Sequence, residues 1–190
     1  MTRRSFVTLS AAPLAGIITG RRTLSIQELI QRAVLQRFHE SIDRYIALRQ
    51  MAERHLPTLG DASVHGARAA RTAAIRSLRG TANIGDVFTS EVTMLFRGRI
   101  RGVIADGYDI LDASGHERQA PSQQLQVNDS FSQVPGADGS AAVLAALPEL
   151  PSSLHYRFAG RDLLLLDVDA NLVVDILVDA FAFTSPVTSG

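Results

Sequence analysis

The sequence predicts an α+β protein: an N-terminal helical body of about three helices with a small C-terminal β-hairpin unit. Two patterns carry that prediction. Apolar residues recur at intervals of three and four from Ile26 to Ala52, and again from Val92 to Ile104; this is the period of helices that bury one face. From Leu154 onward the pattern becomes alternation, with Leu154, Tyr156 and Phe158 on one side, and then a run of four leucines; this is the signature of strands. A chain of 190 residues is long enough to bury one core. We expect an export signal over 1–22 and a single domain over 23–190, made of a helical body (23–105), an irregular middle (106–153) and a hairpin unit (154–183).

The first 22 residues predict targeting. Arg3 and Arg4 precede Phe6 and a modest apolar run to Gly20, and Arg21 and Arg22 follow it. The run is short for a membrane span and suits a twin-arginine-like export signal. Export to the periplasm or cell envelope, with no stable transmembrane anchor, is the expectation. No Ala-x-Ala triplet marks a cleavage point.

Ser25 and Glu28 have capping-box spacing ahead of the first helix, which should run to about Leu56, where Pro57 stops it. Its other face carries Arg32, Arg37, Arg44, Arg49 and Arg54, expected to be solvated. A second helix is predicted from Ser63 to Leu78, with Arg68, Arg71, Arg76 and Arg79 on one side. That stripe fits a solvated face, a phosphate or an acidic partner, and the nearest acids belong to the C-terminal half. "RGTANIG" breaks this helix, and Thr89 can cap a third that runs to Ala105.

From Asp106 to Gly139, Gly, Ser, Pro, Asn and Asp are frequent and periodicity fades, although "QLQVNDSF" could form a short strand. A brief helix over Ala141–Ala146 leads to the hairpin, turned by "AGRD". The following "LVVDILVDAF" is ambiguous. Alternation groups Leu172, Val174 and Ile176 as in a strand, whereas helical spacing groups Val168, Leu172, Ile176 and Ala180.

Composition excludes several chemistries. There is no cysteine, hence no disulfide, thiolate zinc site or cysteine nucleophile. All 19 basic side chains are arginine, so lysine Schiff bases and a phosphate-loop lysine are absent. The net charge of zero hides a split: residues 1–110 hold 16 arginines against 9 acids, and residues 111–190 hold 3 against 10. The halves can pack together or associate head to tail, and a nucleic-acid partner is not expected from this balance.

Three segments, "RFHESIDRYIALRQMAERHLP", "GDVFTSEV" and "LHYRFAGRDLLLLDVDANLVVDIL", resemble an uncharacterised family of bacterial proteins expected to be exported. That family has a Gly-Asp-Ile-Phe-Thr-Pro-Glu-Val segment. It also has a Tyr-Arg-Phe-Val-Gly-Arg-Asp-Leu stretch followed by Asp-x-x-Ala-Asn-Leu-Ile-Val-Asp. Gly85 to Val92 match the first with Ser90 in place of proline, Tyr156 to Leu163 match the second with Ala159 for valine, and Asp167 and Ala170 to Asp175 match the last. The resemblance implies export and a helical body with a C-terminal β unit, and no activity.

Individual motifs point away from catalysis. Asp167, Asp169 and Asn171 are spaced as the first three ligands of a calcium loop, but Leu172 replaces the required glycine and Val178 the closing glutamate. The simpler expectation is a turn built by Asp and Asn, with Asp167 capping the next segment. His39, His55, His65, His116 and His155 have no zinc-motif spacing; His116-Glu117 would need a second histidine where Ala120 stands. "VPGADGSAAV" lacks the glycine spacing of a phosphate cradle, there is no G-x-S-x-G elbow, and Asp106, Asp109 and Asp112 form no local motif. Arg157 and Arg161, near Tyr156 and Asp162, suggest an Arg–Asp pair closing the hairpin turn, or else an anion or partner contact. No catalytic, cofactor-binding or metal residue is therefore assigned, and no cofactor is expected. The expected function is that of an exported accessory or interaction protein, with a protein partner or a homo-oligomer. The alternative is an envelope hydrolase or small-ligand-binding protein with a site formed by the 106–140 loop.

Overall fold

Helix α1 (Ile26–Arg54) begins where Ser25 and Glu28 close a capping box. The Glu28 carboxylate accepts the Ser25 N–H at 2.7 Å, and Ser25 Oγ accepts the Glu28 N–H at 3.2 Å. The computed structural model describes residues 24–54, 56, 64–107, 125–130 and 139–182, with the backbone alone for Val64 and His65. The expected export segment, Pro57, His55, His116, Asp109, Asp112 and most of the 106–140 segment lie outside the described residues.

Helices α2 (Val64–Arg79) and α3 (Ser90–Ala105) complete the body, and a six-residue α4 (Ala141–Ala146) precedes the sheet. Thr89 caps α3 through its side chain, which accepts the Val92 N–H at 3.5 Å. Strands β1 (Leu154–Ala159), β2 (Asp162–Asp167) and β3 (Leu172–Leu177) form an antiparallel sheet in sequence order. The fold is thus α+β, and "LVVDIL" is a strand.

The β1–β2 turn is the pair Gly160-Arg161, with Gly160 at φ 60°; positive φ at the first turn residue is the glycine position of a type II′ hairpin. The expected Arg–Asp pair forms one turn further on. Arg161 reaches Asp179 at 2.7 Å, while Asp162 accepts the Asp179 N–H at 2.8 Å.

The helices lie on one face of the sheet. Phe38 of α1, Phe96 of α3, Phe88 and Tyr156 of β1 form a ring cluster, with Phe38 and Phe96 at 5.2 Å and Phe96 and Tyr156 at 6.1 Å. Leu163, Leu165, Leu172, Val174 and Leu177 pack against it. The opposite face holds Leu164, Leu166, Val173 and Ile176, also buried, with Leu125 packed on them. A sheet buried on both faces has no polar alternation to display, which is why the run after Asp167 was ambiguous by period.

Strict alternation would place Ile176 with Leu172 and Val174. It does not lie there. The β2–β3 register slips between Leu165 and Leu166: Leu166 pairs with Val173, but Leu165 pairs with Asp175. Val174 is the extra residue of a bulge. After it Asp175 and Leu177 share the helix side with Val174, and Ile176 turns to the other.

"QLQVNDSF" is not a strand where it is described. Gln126 to Asp129 form a turn, which docks on the free edge of β3 through Asn128 N–H to Val173 O and Val173 N–H to Asp129 O, both at 2.9 Å. Ser130 adds a single bridge to Leu172.

Candidate functional site

The residues that looked most like chemistry are Asp167, Asp169 and Asn171. They sit in the turn joining β2 to β3, and each has a structural partner. Asp167 is fully buried. Its Oδ1 accepts the Ala170 N–H at 2.8 Å, which is the cap expected of it, and its Oδ2 accepts the Tyr45 hydroxyl at 2.8 Å. Arg49 stands 3.6 Å from Asp167 and binds Asp169 at 2.7 Å. Asn171 takes a left-handed φ of 52° that closes the turn, and its amide donates to Ser130 Oγ at 2.7 Å. Among the described residues no group of His, Asp and Glu could hold a metal ion.

Arg49 corrects one expectation. The helical period puts it on a solvated face, yet only 13% of its side chain is exposed. The sheet corner supplies two carboxylates within its reach, and a guanidinium loses less on desolvation than an ammonium does. Burial, then the Asp167 charge and the hydrogen bond to it, push the Tyr45 hydroxyl well above the ordinary tyrosine range, so it stays protonated and donates to Asp167.

The arginine stripe of α2 does meet the C-terminal half, but largely through carbonyl oxygens. Arg76 donates to Asn128 O at 2.8 Å; Arg79 donates to Asn128 Oδ1 at 2.9 Å and to Val174 O at 2.7 Å, and lies 5.4 Å from the Tyr45 ring centre. Arg71 pairs with Glu53 of α1 at 2.9 Å, and the Thr72 hydroxyl donates to Ala170 O. The stripe ties α2 to the β3 edge and the β2–β3 turn.

Asp175 is the acid that motif spacing did not single out. It is fully buried, and both oxygens are filled. Oδ1 accepts Gly85 N–H at 2.9 Å and Ile176 N–H at 2.8 Å; Oδ2 accepts Val87 N–H and Phe88 N–H, each at 2.7 Å. The "GDVF" loop therefore wraps around the aspartate of "LVVD". Burial raises the Asp175 carboxyl above its ordinary range, and the four N–H donors pull against that. One signal was legible in advance. An acid inside an apolar strand must be neutralised or fully hydrogen-bonded.

With these side chains committed, open surface is what the described residues offer. A groove of about 810 Å³ runs between the N-terminal turns of α1 and α3. Ile26, Ile30 and Val34 line it from α1, and Met94 and Leu95 from α3. Ile26 is 78% exposed, Ile30 59% and Met94 66%. The period predicted a buried face from Ile26 onward, but burial starts at Val34. A second cleft, about 550 Å³, lies between α4 and β1 beside Glu149, His155 and Tyr156. The Tyr156 hydroxyl is buried and has no hydrogen-bond partner among the described residues.

His39 lies against Phe38 on α1, with ring centres 5.6 Å apart, and His155 is exposed on β1; the side chain of His65 is outside the described set. Asp106 is the C-cap of α3. No helix among the described residues is long and apolar enough to cross a membrane. Compared with family models, curated proteins and solved structures, the chain gives no significant match.

Proposed function

We propose that this chain is a non-catalytic interaction protein that works through polypeptide contact at the α1–α3 face. The observation behind this reading is a contrast. The buried carboxylates Asp167 and Asp175 are engaged by protein donors on both oxygens, while Ile26, Ile30 and Met94 stand exposed along one groove. A general base needs a free oxygen within reach of a proton, and neither buried aspartate offers one. Contiguous exposed apolar surface is the usual mark of a contact site.

The same proposal places the chain outside the inner membrane. The support is the order of Arg3-Arg4, the apolar run and Arg21-Arg22, together with the resemblance to the family described above. Fusing residues 1–30 to a reporter tests that part: replacing Arg3 and Arg4 with lysines should stop translocation, and unchanged translocation removes the twin-arginine route.

The contact reading is tested by a photo-crosslinking residue at position 94 of the full chain, in the producing bacterium. Polypeptide adducts are expected from position 94 and not from exposed Arg44 on the far part of α1. Absence of any adduct at 94, or turnover of a substrate by the purified chain, overturns the reading.

A further inference from the structure

We infer that the occupant of the α1–α3 groove is a second copy of this chain, laid across it on a two-fold axis with α3 antiparallel to its counterpart. The inference rests on the contact reading above and names its partner. The argument is self-complementarity. Of the described residues that line the groove only two are charged, Glu91 and Arg99. Both are on α3, about two turns or 12 Å apart along it, with Met94 and Leu95 between them. A two-fold axis near Leu95 reverses the direction of the partner helix. Glu91 of each copy then faces Arg99 of the other, and the apolar middle meets itself. A two-fold interface requires this: one patch must complement its own rotated image.

Shape agrees with charge. Met94 projects from α3 and is two-thirds exposed, a knob without a hole in its own chain. Gly98, one turn on, leaves open surface: apart from its chain neighbours and its own helix backbone, no described atom lies within 4 Å of where its side chain would begin. An antiparallel crossing about that axis sets Met94 of one copy opposite position 96 of the other, about 3 Å along the helix from that space and within reach of a flexible methionine side chain, while Ile26 and Ile30 form the outer wall. Small residues at a crossing let helices approach closely. Glu91 is exposed; its hydrogen bonds are local, to the Thr89 hydroxyl at 3.0 Å, the Ser90 side chain and its own backbone, with Arg37 of α1 near it, and a carboxylate with several lone pairs can still accept from a partner's arginine. Arg99 keeps one nitrogen on Ala146 O at 3.0 Å and has further donors to offer.

The test is sedimentation equilibrium of the full chain and its variants, each with a melting curve. The wild-type chain should sediment at twice its 20.5 kDa mass. Met94→Glu and Ile30→Glu, at exposed positions, should sediment as monomers that still melt cooperatively, at a Tm that no longer rises with protein concentration. Glu91→Arg alone should weaken association at least about tenfold through like charges, and Glu91→Arg with Arg99→Glu should restore it. A wild-type chain that is monomeric at every concentration overturns the inference, as does a dimer indifferent to Met94→Glu. If Arg99→Glu fails to fold, Glu91→Arg still decides, because that side chain is exposed. The two readings fail separately. An adduct at position 94 of any mass other than the doubled chain removes the homodimer and leaves the contact reading, whereas no adduct removes both.

Discussion

Tyr45 and Tyr156 are both buried, and they should respond oppositely to loss of the hydroxyl. Tyr45 donates to Asp167 inside the core. Tyr45→Phe leaves a buried carboxylate one donor short and should cost about 2 kcal/mol. Tyr156 has no partner for its hydroxyl among the described residues, so Tyr156→Phe should be neutral or stabilise by up to about 1 kcal/mol. Urea denaturation of the two variants checks both signs. Asp175→Asn is the sharper case. The amide NH2 would face two backbone N–H groups whichever way it turned, since both carboxylate oxygens accept two. We expect a loss of about 3 kcal/mol, seen as a fall in Tm with no rescue by added ions. Calcium should leave the wild-type Tm unchanged, because Asp167 is filled and Asp169 is paired with Arg49. A rise in Tm that Asp167→Asn abolishes would restore the metal loop.

At the level of elements, the capping box of α1 was read from residue spacing alone, and it carries a pH dependence. The Ser25 backbone bond holds the Glu28 carboxyl below its usual 4.5. A lowered folded-state value stabilises the cap above the unfolded value and is lost as pH falls through the lowered one. Exchange of the Ser25 amide proton should therefore quicken, relative to its unfolded-chain rate, as the pH is taken down through the lowered Glu28 range, while the Val92 amide, capped by the neutral Thr89 hydroxyl, should not. Strand β3 was harder to read. Its apolar run is buried on both faces, so no polar positions mark a period, and the bulge at Val174 breaks what alternation there is. That bulge lets Val174 fill the core and Asp175 reach the "GDVF" loop from the same side of the sheet. No local pattern announces a bulge, because its cause lies in the partner that Asp175 finds about ninety positions away.

For the whole molecule, helices and sheet share one core. Phe38, Ile42, Ile75, Phe96, Leu163, Leu165 and Leu177 belong to a single cluster. Residues 24–107 expressed alone would expose the helix faces that pack on Leu163 and Leu165. They should show no cooperative thermal transition by circular dichroism, and a sharp transition in that fragment would mean the sheet is dispensable. The opposed charges of the two halves also act at this scale. The halves pack on each other within one chain, through Arg49 to Asp169 and through Arg76 and Arg79 to carbonyl oxygens. A charge count cannot tell a carbonyl from a carboxylate as the acceptor, so the arginine stripe was legible and its partners were not.

Taken alone, the sequence determined the local events: where helices start and are capped, where the hairpin turns, and which chemistries the absence of cysteine and lysine excludes. These depend on residues within a turn or two of one another, where spacing and side-chain type suffice. Only the tertiary structure decided which acids are buried, that Arg49 faces inward, that Asp175 crosses to the helix side, and that the apolar start of α1 remains open. Each of these depends on what arrives from far along the chain to cover a face or fill an oxygen. Period and propensity describe one segment at a time and carry no record of its neighbours.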